Sequence, residues 1–189
     1  EMLGRIAGHN YVYNFRWLGR PIIQAPADIV GMQELIWEIK PTRIIECGVA
    51  HGGSLVLSAS IMAMLDLADR QGTAEPHSDR KVIGVDIDFR PHNRDAIDAH
   101  FLREYMIMVE GSSIELKTFD QVKSNLKEDD IVLVFLDSNH THDHVYQELN
   151  YYGPLVSKGS YCIVADSVIE YMPPGFFPDR ECYELPREC

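Results

Sequence analysis

Residues 44–54 read IIECGVAHGGS, an apolar run that ends in an acid and a glycine-rich turn. Branched apolar residues followed by glycines predict a buried strand that runs into a loop and then opens a helix. Gly48 lets the backbone turn sharply, while Gly52 and Gly53 keep side chains away from the place where a ligand would approach. A strand, a glycine loop and a helix in this order indicate a site for a nucleotide-like ligand.

The spacing of the glycines narrows the class of ligand. The motif is G-x-x-x-G and not G-x-G-x-x-G, so it lacks the second glycine that lets a pyrophosphate lie against the main chain. This disfavours NAD and favours S-adenosylmethionine, a ligand without phosphates. We expect its cationic amino-acid end near Glu46 and the loop amides, with contacts from Gly48, His51, Gly52 and Ser54.

A second apolar run, KVIGVDID at residues 81–88, predicts the next strand and ends in two acids. Asp86 lies at the strand end, where its carboxylate can accept charge-assisted hydrogen bonds from both ribose hydroxyls of the cofactor. Asp88 follows it, and we expect it at the same site. The alternative for Asp86 is a structural one, in which the carboxylate caps the next helix. The two motifs together are more specific than either alone.

Length and composition indicate one globular domain. The chain has 189 residues, of which 46% are hydrophobic and 24% charged, and this suits a single core without a second domain. Acidic residues outnumber basic ones, 29 to 17, and the formal charge of -12 disfavours nucleic acid and anionic membranes as partners. No apolar run approaches the roughly 18 residues that span a bilayer, and the N-terminus shows no signal-peptide pattern, so we expect a cytoplasmic protein.

The cysteines and the chain ends carry less information. The four cysteines form no close pair, which indicates neither a disulfide scaffold nor a zinc site. The chain begins at Glu1 without an initiator Met and stops soon after the fifth predicted strand, so we expect a fragment or an edited chain. We assign residues 1–26 to a segment that contacts substrate or another subunit, and residues 172–189 to an irregular tail.

Strand and helix patterns alternate along the chain, with a surface loop expected at 70–80. Strands are predicted at about 43–47, 82–86, 106–109, 131–136 and 161–165, and helices at about 27–40, 54–69, 93–103, 115–126 and 142–151. Continuous apolar strands that alternate with helices predict an α/β fold with a Rossmann-like, doubly wound, mostly parallel sheet. Ligands bind such sheets at the carboxyl ends of the strands. Polar residues lie at or just after the predicted strand ends: Glu46, Asp86, Ser112, Asp137 and Asp166.

The residues best suited to chemistry follow the fourth and fifth strands. Asp137 and Asp166 come from adjacent strands and could share Mg²⁺, which prefers carboxylate and water oxygens. The cation would lower the pKa of a bound substrate hydroxyl, and His140 could then take the proton as general base. In the structural alternative, His140, His142 and His144 are a cluster at a loop and a helix start without a catalytic role. We favour that alternative for His142 and His144.

Ser112 and Ser113 follow the third strand in the stretch EGSSIE at residues 110–115, where a turn usually meets the adenine ring of the cofactor. Ser112 and Glu115 also have the spacing of a capping box, so Ser112 could cap the next helix instead. Both roles can hold at once if the backbone contacts the adenine.

A metallo-hydrolase is a remote alternative. Residues 140–144 read HTHDH, which is close to the H-x-H-x-D-H motif of two-metal hydrolases but one residue short. The missing residue moves Asp143 and His144 out of the metal-binding positions.

Several stretches, taken in order from about Tyr13 to Met172, resemble the cephalosporin hydroxylase family. They are QAPAD at 24–28, IIECGVAHGGSLVLSAS at 44–60, KVIGVDID at 81–88, EGSSIE at 110–115 and VFLDSNHTHDHVYQELNYYGPLVSKGSYCIVAD at 134–166. That family has the class I S-adenosylmethionine-dependent methyltransferase fold and is akin to rhamnosyl and macrolide-sugar O-methyltransferases. The resemblance implies Mg²⁺ at Asp137 and Asp166, with His140 as the base.

One position departs from the family. An acidic pair, Glu-Asp, commonly follows the fifth strand there, whereas this chain has Ala165-Asp166. One carboxylate ligand is therefore missing, which leaves open a weaker metal site, a metal-independent enzyme or a lapsed active site.

The sequence therefore predicts an S-adenosylmethionine-dependent O-methyltransferase, assisted by Mg²⁺, that acts on a hydroxyl of a small molecule such as a sugar or secondary metabolite. We also expect a homo-oligomer. The alternative, consistent with Ala165, is a non-catalytic S-adenosylmethionine-binding or partner protein of a biosynthetic pathway.

Overall fold

The computed structural model describes residues 11–70 and 79–171, and its first element is a small hairpin. After a 3-10 turn at Tyr11–Asn14, strands β1 (Phe15–Trp17) and β2 (Arg20–Ile22) pair antiparallel. Leu18 and Gly19 form the turn between them with φ angles of 43° and 89°. The sequence predicts no strand here, because a strand of three residues is too short to show a recognisable periodicity.

Five parallel strands form the main sheet in the order β5-β4-β3-β6-β7. Their bounds are β3 (Arg43–Cys47), β4 (Lys81–Asp86), β5 (Met106–Glu110), β6 (Val132–Leu136) and β7 (Cys162–Val164). The order reverses between β3 and β6, so the carboxyl ends of these two strands flank the switch point where ligands bind in such sheets. The predicted α/β, Rossmann-like parallel sheet is confirmed.

In the described part of the chain, five helices connect the strands, and short 3-10 turns lie at Arg103–Tyr105, Gly153–Leu155 and Ser167–Tyr171. The helices are α1 (Pro26–Ile39), α2 (Gly53–Arg70), α3 (Pro91–Asp98), α4 (Leu116–Lys123) and α5 (His142–Tyr152). No helix within residues 11–70 and 79–171 is long and apolar enough to cross a membrane.

The sheet is buried on both faces. Every residue of β3 and β6 is buried. Because side chains alternate along a strand, Ile44 packs in one core cluster with Ile36 of α1, while its neighbour Ile45 packs in the other with Tyr152 of α5. Burying one such apolar side chain stabilises the fold by about 1.5–3 kcal/mol, so the two clusters fix the strand ends in place.

Two local predictions are wrong. The helix predicted at 93–103 ends at Asp98, and the chain turns with Phe101 74% exposed before the separate 3-10 turn. The capping role suggested for Ser112 is also wrong, because α4 has Glu115 at its N-cap and no side-chain capping bond. The carbonyl oxygen of Ser112 instead accepts a hydrogen bond from the Glu115 amide at 3.0 Å, which is a typical length for such a bond.

Some expectations lie outside the described residues. They are most of the loop predicted at 70–80, the tail at 172–189 and the first ten residues of the N-terminal segment.

Candidate active site

The glycine loop lies at the switch point between β3 and β6. Gly48 has a φ of 94°, and a Cβ atom there would lie 2.0 Å from the carbonyl oxygen of Asp137. The Gly48 amide donates to the Val85 carbonyl at 2.8 Å, and the Asp137 amide donates to the Cys47 carbonyl at 2.8 Å. Glycine is therefore required at position 48 both by its backbone angle and by the closeness of the β6 end.

Two polar side chains, of which Asn93 is buried, hold this loop from outside. Arg20 of β2 donates to the His51 carbonyl from Nε at 2.9 Å and from Nη2 at 2.6 Å. Asn93 of α3 is 3% exposed, donates to the Ala50 carbonyl at 3.1 Å and accepts from Arg20 Nη2 at 2.9 Å. The hairpin and α3 thus fix the backbone of residues 50 and 51.

Asp86 holds the same loop from the neighbouring strand. Its Oδ2 accepts hydrogen bonds from the amides of Val49 and Ala50, each at 2.9 Å, and its Oδ1 accepts from the Asp88 amide at 3.1 Å. Asp86 therefore does not cap α3, whose N-cap residue is Arg90 and has no side-chain capping bond. The Asp86 carboxylate lies against the loop.

Glu46 lies beneath the loop and is fully buried. Its Oε1 accepts a hydrogen bond from Ser54 Oγ at 2.6 Å, and its Oε2 has no hydrogen-bond partner among the described residues. Burial raises the pKa of Glu46 to about 8; the Ser54 hydrogen bond opposes this shift and the nearby charge of Asp86 adds to it. The carboxyl group of Glu46 therefore lies behind Ser54, within the fold.

A concave pocket of about 220 Å³ opens beside the loop at the carboxyl ends of the strands. The predicted site residues in its wall are Gly48, His51, Ser54, Asp137, His140 and Asp166, and Gln24 joins them. The other predicted cofactor residues do not line it: Glu46, Gly52, Asp86, Asp88, Ser112 and Ser113. The pocket thus combines one side of the glycine loop with the acids that follow β6 and β7.

Three side chains at the pocket form a candidate metal site. One ligand atom from each of Asp137, His140 and Asp166 lies within 4.8 Å of the others. His140 Nε2 is 3.9 Å from Asp137 Oδ1 and 3.4 Å from Asp166 Oδ2. Gln24 Nε2 donates to the second Asp137 oxygen at 2.6 Å and so fixes its carboxylate plane.

Several acidic groups lie close together around this cluster. Burial raises the pKa of Asp137 to about 8, and the carboxylates of Asp166, Glu46 and Asp28 add to the rise while the Gln24 hydrogen bond opposes it. Burial and Asp166 also raise the pKa of Asp28, which lies in the first turn of α1. A divalent cation between Asp137 and Asp166 would offset this repulsion, so the residues present fit Mg²⁺.

The remaining predicted residues have other contacts. Ser113 donates to Glu148 Oε1 at 2.6 Å, and its Oγ lies 3.0 Å from His144 Nε2, which gives both residues structural partners inside the fold. His142 lies at the start of α5 with its Nδ1 3.1 Å from Asp143 Oδ1. Neither His142 nor His144 lines the pocket beside the glycine loop.

Sequence reasoning missed Arg20, Asn93 and Gln24. Arg20 and Asn93 carry no motif, since their role arises only when the hairpin and α3 meet the loop. Gln24 does have a signal, because it begins the QAPAD stretch at 24–28 that supports the family resemblance.

A family model and a curated relative match nearly the whole chain. The model described as Rhamnosyl O-methyltransferase/CmcI matches residues 9–187. A rhamnosyl O-methyltransferase of Mycobacterium bovis is 32% identical over 181 residues, which cover 90% of this chain and 67% of that protein.

Two solved structures share the fold at low sequence identity. A CmcI structure with Mg and S-adenosylmethionine has a TM-score of 0.58 at 19% identity, and the match covers 90% of this chain and 63% of that one. The MycE methyltransferase from the mycinamycin biosynthetic pathway, in complex with Mg, S-adenosylhomocysteine and mycinamycin VI, has a TM-score of 0.54 at 19% identity. That match covers 95% of this chain and 43% of MycE.

Proposed function

The chain belongs to the rhamnosyl O-methyltransferase/CmcI family, and on this basis we propose that it transfers the methyl group of S-adenosylmethionine to a hydroxyl of a small molecule, such as a sugar or a secondary metabolite. The observation that carries the proposal is the meeting of the glycine loop with the cluster of Asp137, His140 and Asp166 in one pocket. One wall suits the cofactor and the other suits proton transfer.

The glycine loop would hold the cofactor in the pocket of about 220 Å³ beside it, the cofactor pocket. Residues 48–51, Gly53 and Ser54 line the pocket, and the Ser54 hydroxyl there is held by its hydrogen bond to Glu46 beneath it. Asp86 keeps the loop amides in place, and its Oδ1 retains an acceptor lone pair for a ribose hydroxyl. Asp88, Ser112 and Ser113 remain proposed cofactor contacts, with the adenine met by the backbone at 112–113.

Asp137 and Asp166 would hold Mg²⁺, with water completing its shell, and the cation would polarise the substrate hydroxyl and lower its pKa. His140 would accept the hydroxyl proton at Nε2. The two carboxylates near that nitrogen stabilise the positive charge that the ring then acquires. The sulfonium C–S bond breaks as the new O–C bond forms, and S-adenosylhomocysteine is the second product.

Isothermal calorimetry followed by a methyl-transfer assay tests this proposal. We expect S-adenosylhomocysteine to bind the native chain, and labelled methyl groups to appear on a hydroxylated acceptor in a mixed panel of sugars and phenols. Absence of cofactor binding at millimolar concentration, with the protein folded, would contradict the proposal.

A non-catalytic S-adenosylmethionine-binding protein is the second candidate, and Ala165 is the observation that favours it. Its methyl group offers no oxygen beside Asp166. Ala165→Glu should therefore tighten Mg²⁺ binding, measured by calorimetry. Cofactor binding without Mg²⁺ binding in either protein, and without methyl transfer, would favour this candidate.

We also propose that residues 1–189 form one domain, that the protein is cytoplasmic and that it is a homo-oligomer. The charge of -12 and the lack of a membrane-crossing helix in the described part of the chain support the location. Tyr11 and Tyr13, 42% and 56% exposed, lie in the segment assigned to subunit contacts and support the assembly. Light scattering on the purified chain tests the oligomeric state.

A further inference from the structure

A buried acid on α5 joins the turns that follow β5 and β6. Glu148 is 1% exposed, and its Oε1 accepts one hydrogen bond from Ser113 Oγ and another from Ser138 Oγ, each at 2.6 Å. Ser113 follows β5 and Ser138 follows β6, two strands that are not neighbours in the sheet. Glu148 thus brings together two strand ends that no backbone ladder joins.

The two serine hydroxyls differ in what they can still bind. A hydroxyl has one proton, and each serine donates it to Glu148, because a carboxylate oxygen accepts hydrogen bonds and does not donate them. The Ser113 oxygen also has a second partner, since it lies 3.0 Å from His144 Nε2. Ser138 Oγ forms no other hydrogen bond with the residues that the structure describes. It therefore keeps its acceptor lone pairs for a ligand.

Ser138 is also the member of this network that lies in the wall of the cofactor pocket, directly after Asp137. Because one carboxylate oxygen binds both serines, Ser138 lies close to the turn at 112–113, to which the proposed function assigns the adenine ring. A hydroxyl whose proton is already engaged is therefore present in the pocket wall beside the expected position of the adenine.

We propose that Ser138 accepts a hydrogen bond from the exocyclic amino group of the cofactor's adenine, and that Glu148 is the positioning residue that fixes this polarity. The inference rests on the proposed methyltransferase function and deepens it, since it names residues that distinguish adenine from hypoxanthine. Hypoxanthine carries a carbonyl oxygen in place of the amino group. Two acceptors would then meet while Glu148 holds the Ser138 proton, and an acceptor left without a donor lowers affinity.

Titration with two cofactor analogues tests the proposal without turnover. S-adenosylhomocysteine and S-inosylhomocysteine differ only in the purine, which is adenine in the first and hypoxanthine in the second. We expect the native chain to bind S-adenosylhomocysteine at least about tenfold more tightly, measured by calorimetry. Ser138→Ala should reduce this preference to less than about threefold, because alanine neither accepts from the amino group nor opposes the carbonyl oxygen.

Variants at position 148 separate positioning from a role in stability alone. Glu148→Gln should keep the preference for adenine, since its amide oxygen can still accept from both hydroxyls. Glu148→Met should lower the preference, because the Ser138 hydroxyl is then free to donate to a carbonyl oxygen. Gln147→Met, at the exposed neighbouring position of α5, is the matched control and should leave the preference unchanged.

Equal affinity of the native chain for the two analogues would overturn the inference, and so would a preference that Ser138→Ala leaves unchanged. If Glu148→Met folds and keeps the full preference while its Tm falls, Glu148 serves stability alone and its positioning role is overturned. Where Glu148→Met does not fold, Ser138→Ala still decides, since it removes the group through which Glu148 is proposed to act. Failure of the native chain to bind either analogue would contradict the proposed function, and the inference with it.

Discussion

Glu46 makes the stability of the fold depend on pH. Its pKa is raised from 4.5 to about 8 in the folded chain, chiefly by burial. Between these two values the unfolded chain has released a proton that the folded chain retains, so the free energy of unfolding falls as pH rises. The slope from this one group approaches about 1.4 kcal/mol per pH unit and vanishes above the folded pKa.

Glu46→Gln should remove that contribution. The amide oxygen can still accept the hydrogen bond from Ser54, but the side chain no longer ionises. We expect the variant to be more stable than the native chain at pH 9 and to differ much less at pH 5, measured by urea unfolding. Glu34→Gln, at an exposed position of α1, is the control. A difference that does not grow with pH would contradict the assignment.

His140 should carry the proton transfer. Its Nε2 lies 3.4 Å from Asp166 Oδ2 in the wall of the cofactor pocket, whereas His142 does not line that pocket. Loss of a general base typically lowers the rate about 10²–10⁴-fold. His140→Ala should therefore lower kcat by about that factor and leave the affinity for S-adenosylhomocysteine unchanged.

His142→Ala should act mainly through the stability of the start of α5, where His142 Nδ1 lies 3.1 Å from Asp143 Oδ1, and should lower kcat much less. His92→Ala, at an exposed position of α3, should leave kcat unchanged. Equal losses of kcat in all three variants, or none in His140→Ala, would assign the base elsewhere.

At the scale of elements, the sequence predicted the buried strands best. β6 shows this most clearly, because its sequence VLVFL is a continuous apolar run, as is typical of a strand that is buried on both faces of a parallel sheet. The helix predicted at 93–103 failed because local spacing does not reveal that His100 turns toward the hairpin, where its Nε2 lies 3.1 Å from the Leu18 carbonyl oxygen. Contacts between elements distant in the chain override local preference there.

The hairpin should matter for cofactor binding although it contributes little to the cofactor pocket. Arg20 donates two hydrogen bonds to the His51 carbonyl and one to Asn93. Arg20→Ala leaves both acceptors without this donor and frees the loop to move. Since a hydrogen bond to a charged group contributes about 1.5–3 kcal/mol, affinity for S-adenosylhomocysteine should fall at least about tenfold.

Calorimetry with S-adenosylhomocysteine measures this effect. Arg16→Ala is the matched control, because Arg16 lies in β1 of the same hairpin and donates only to the Gly19 carbonyl among the contacts described, at 3.3 Å. Equal affinities for the native and Arg20→Ala proteins would show that the glycine loop keeps its shape without the hydrogen bonds from Arg20.

In the whole molecule, the sequence predicted the edge of the sheet where the site lies, but not which of the predicted residues line the pocket and which are buried behind it. Asp137 and Asp166 were predicted to converge because each follows a strand of one parallel sheet, and the structure places both beside His140. Burial could not be predicted in the same way. Glu46 follows the pattern of a ligand contact, yet it lies beneath Ser54, since only packing decides which side of a loop a strand-end acid occupies.

Cofactor binding should stabilise the entire fold, because the glycine loop contacts several of its elements. The loop forms hydrogen bonds with β2, β4 and α3, and its first residue, Gly48, packs against the end of β6. A ligand at about 100 times its Kd that binds only the folded chain adds about 2.7 kcal/mol to the free energy of unfolding. For a chain of this length, that corresponds to a rise in Tm of about 5–10 °C. Differential scanning calorimetry of the native chain with S-adenosylhomocysteine measures it.

Asp86→Asn should reduce this rise in Tm, because it weakens the carboxylate that orders the loop amides and accepts from the ribose. Asp129→Asn, at an exposed position before β6, removes the same charge away from the loop and should leave the rise unchanged. The ribose assignment fails if Asp86→Asn and Asp129→Asn gain the same stability from saturating cofactor as the native chain does. If the native chain gains none, the glycine loop is not a cofactor site, and the acids at the strand ends would then serve the metal alone.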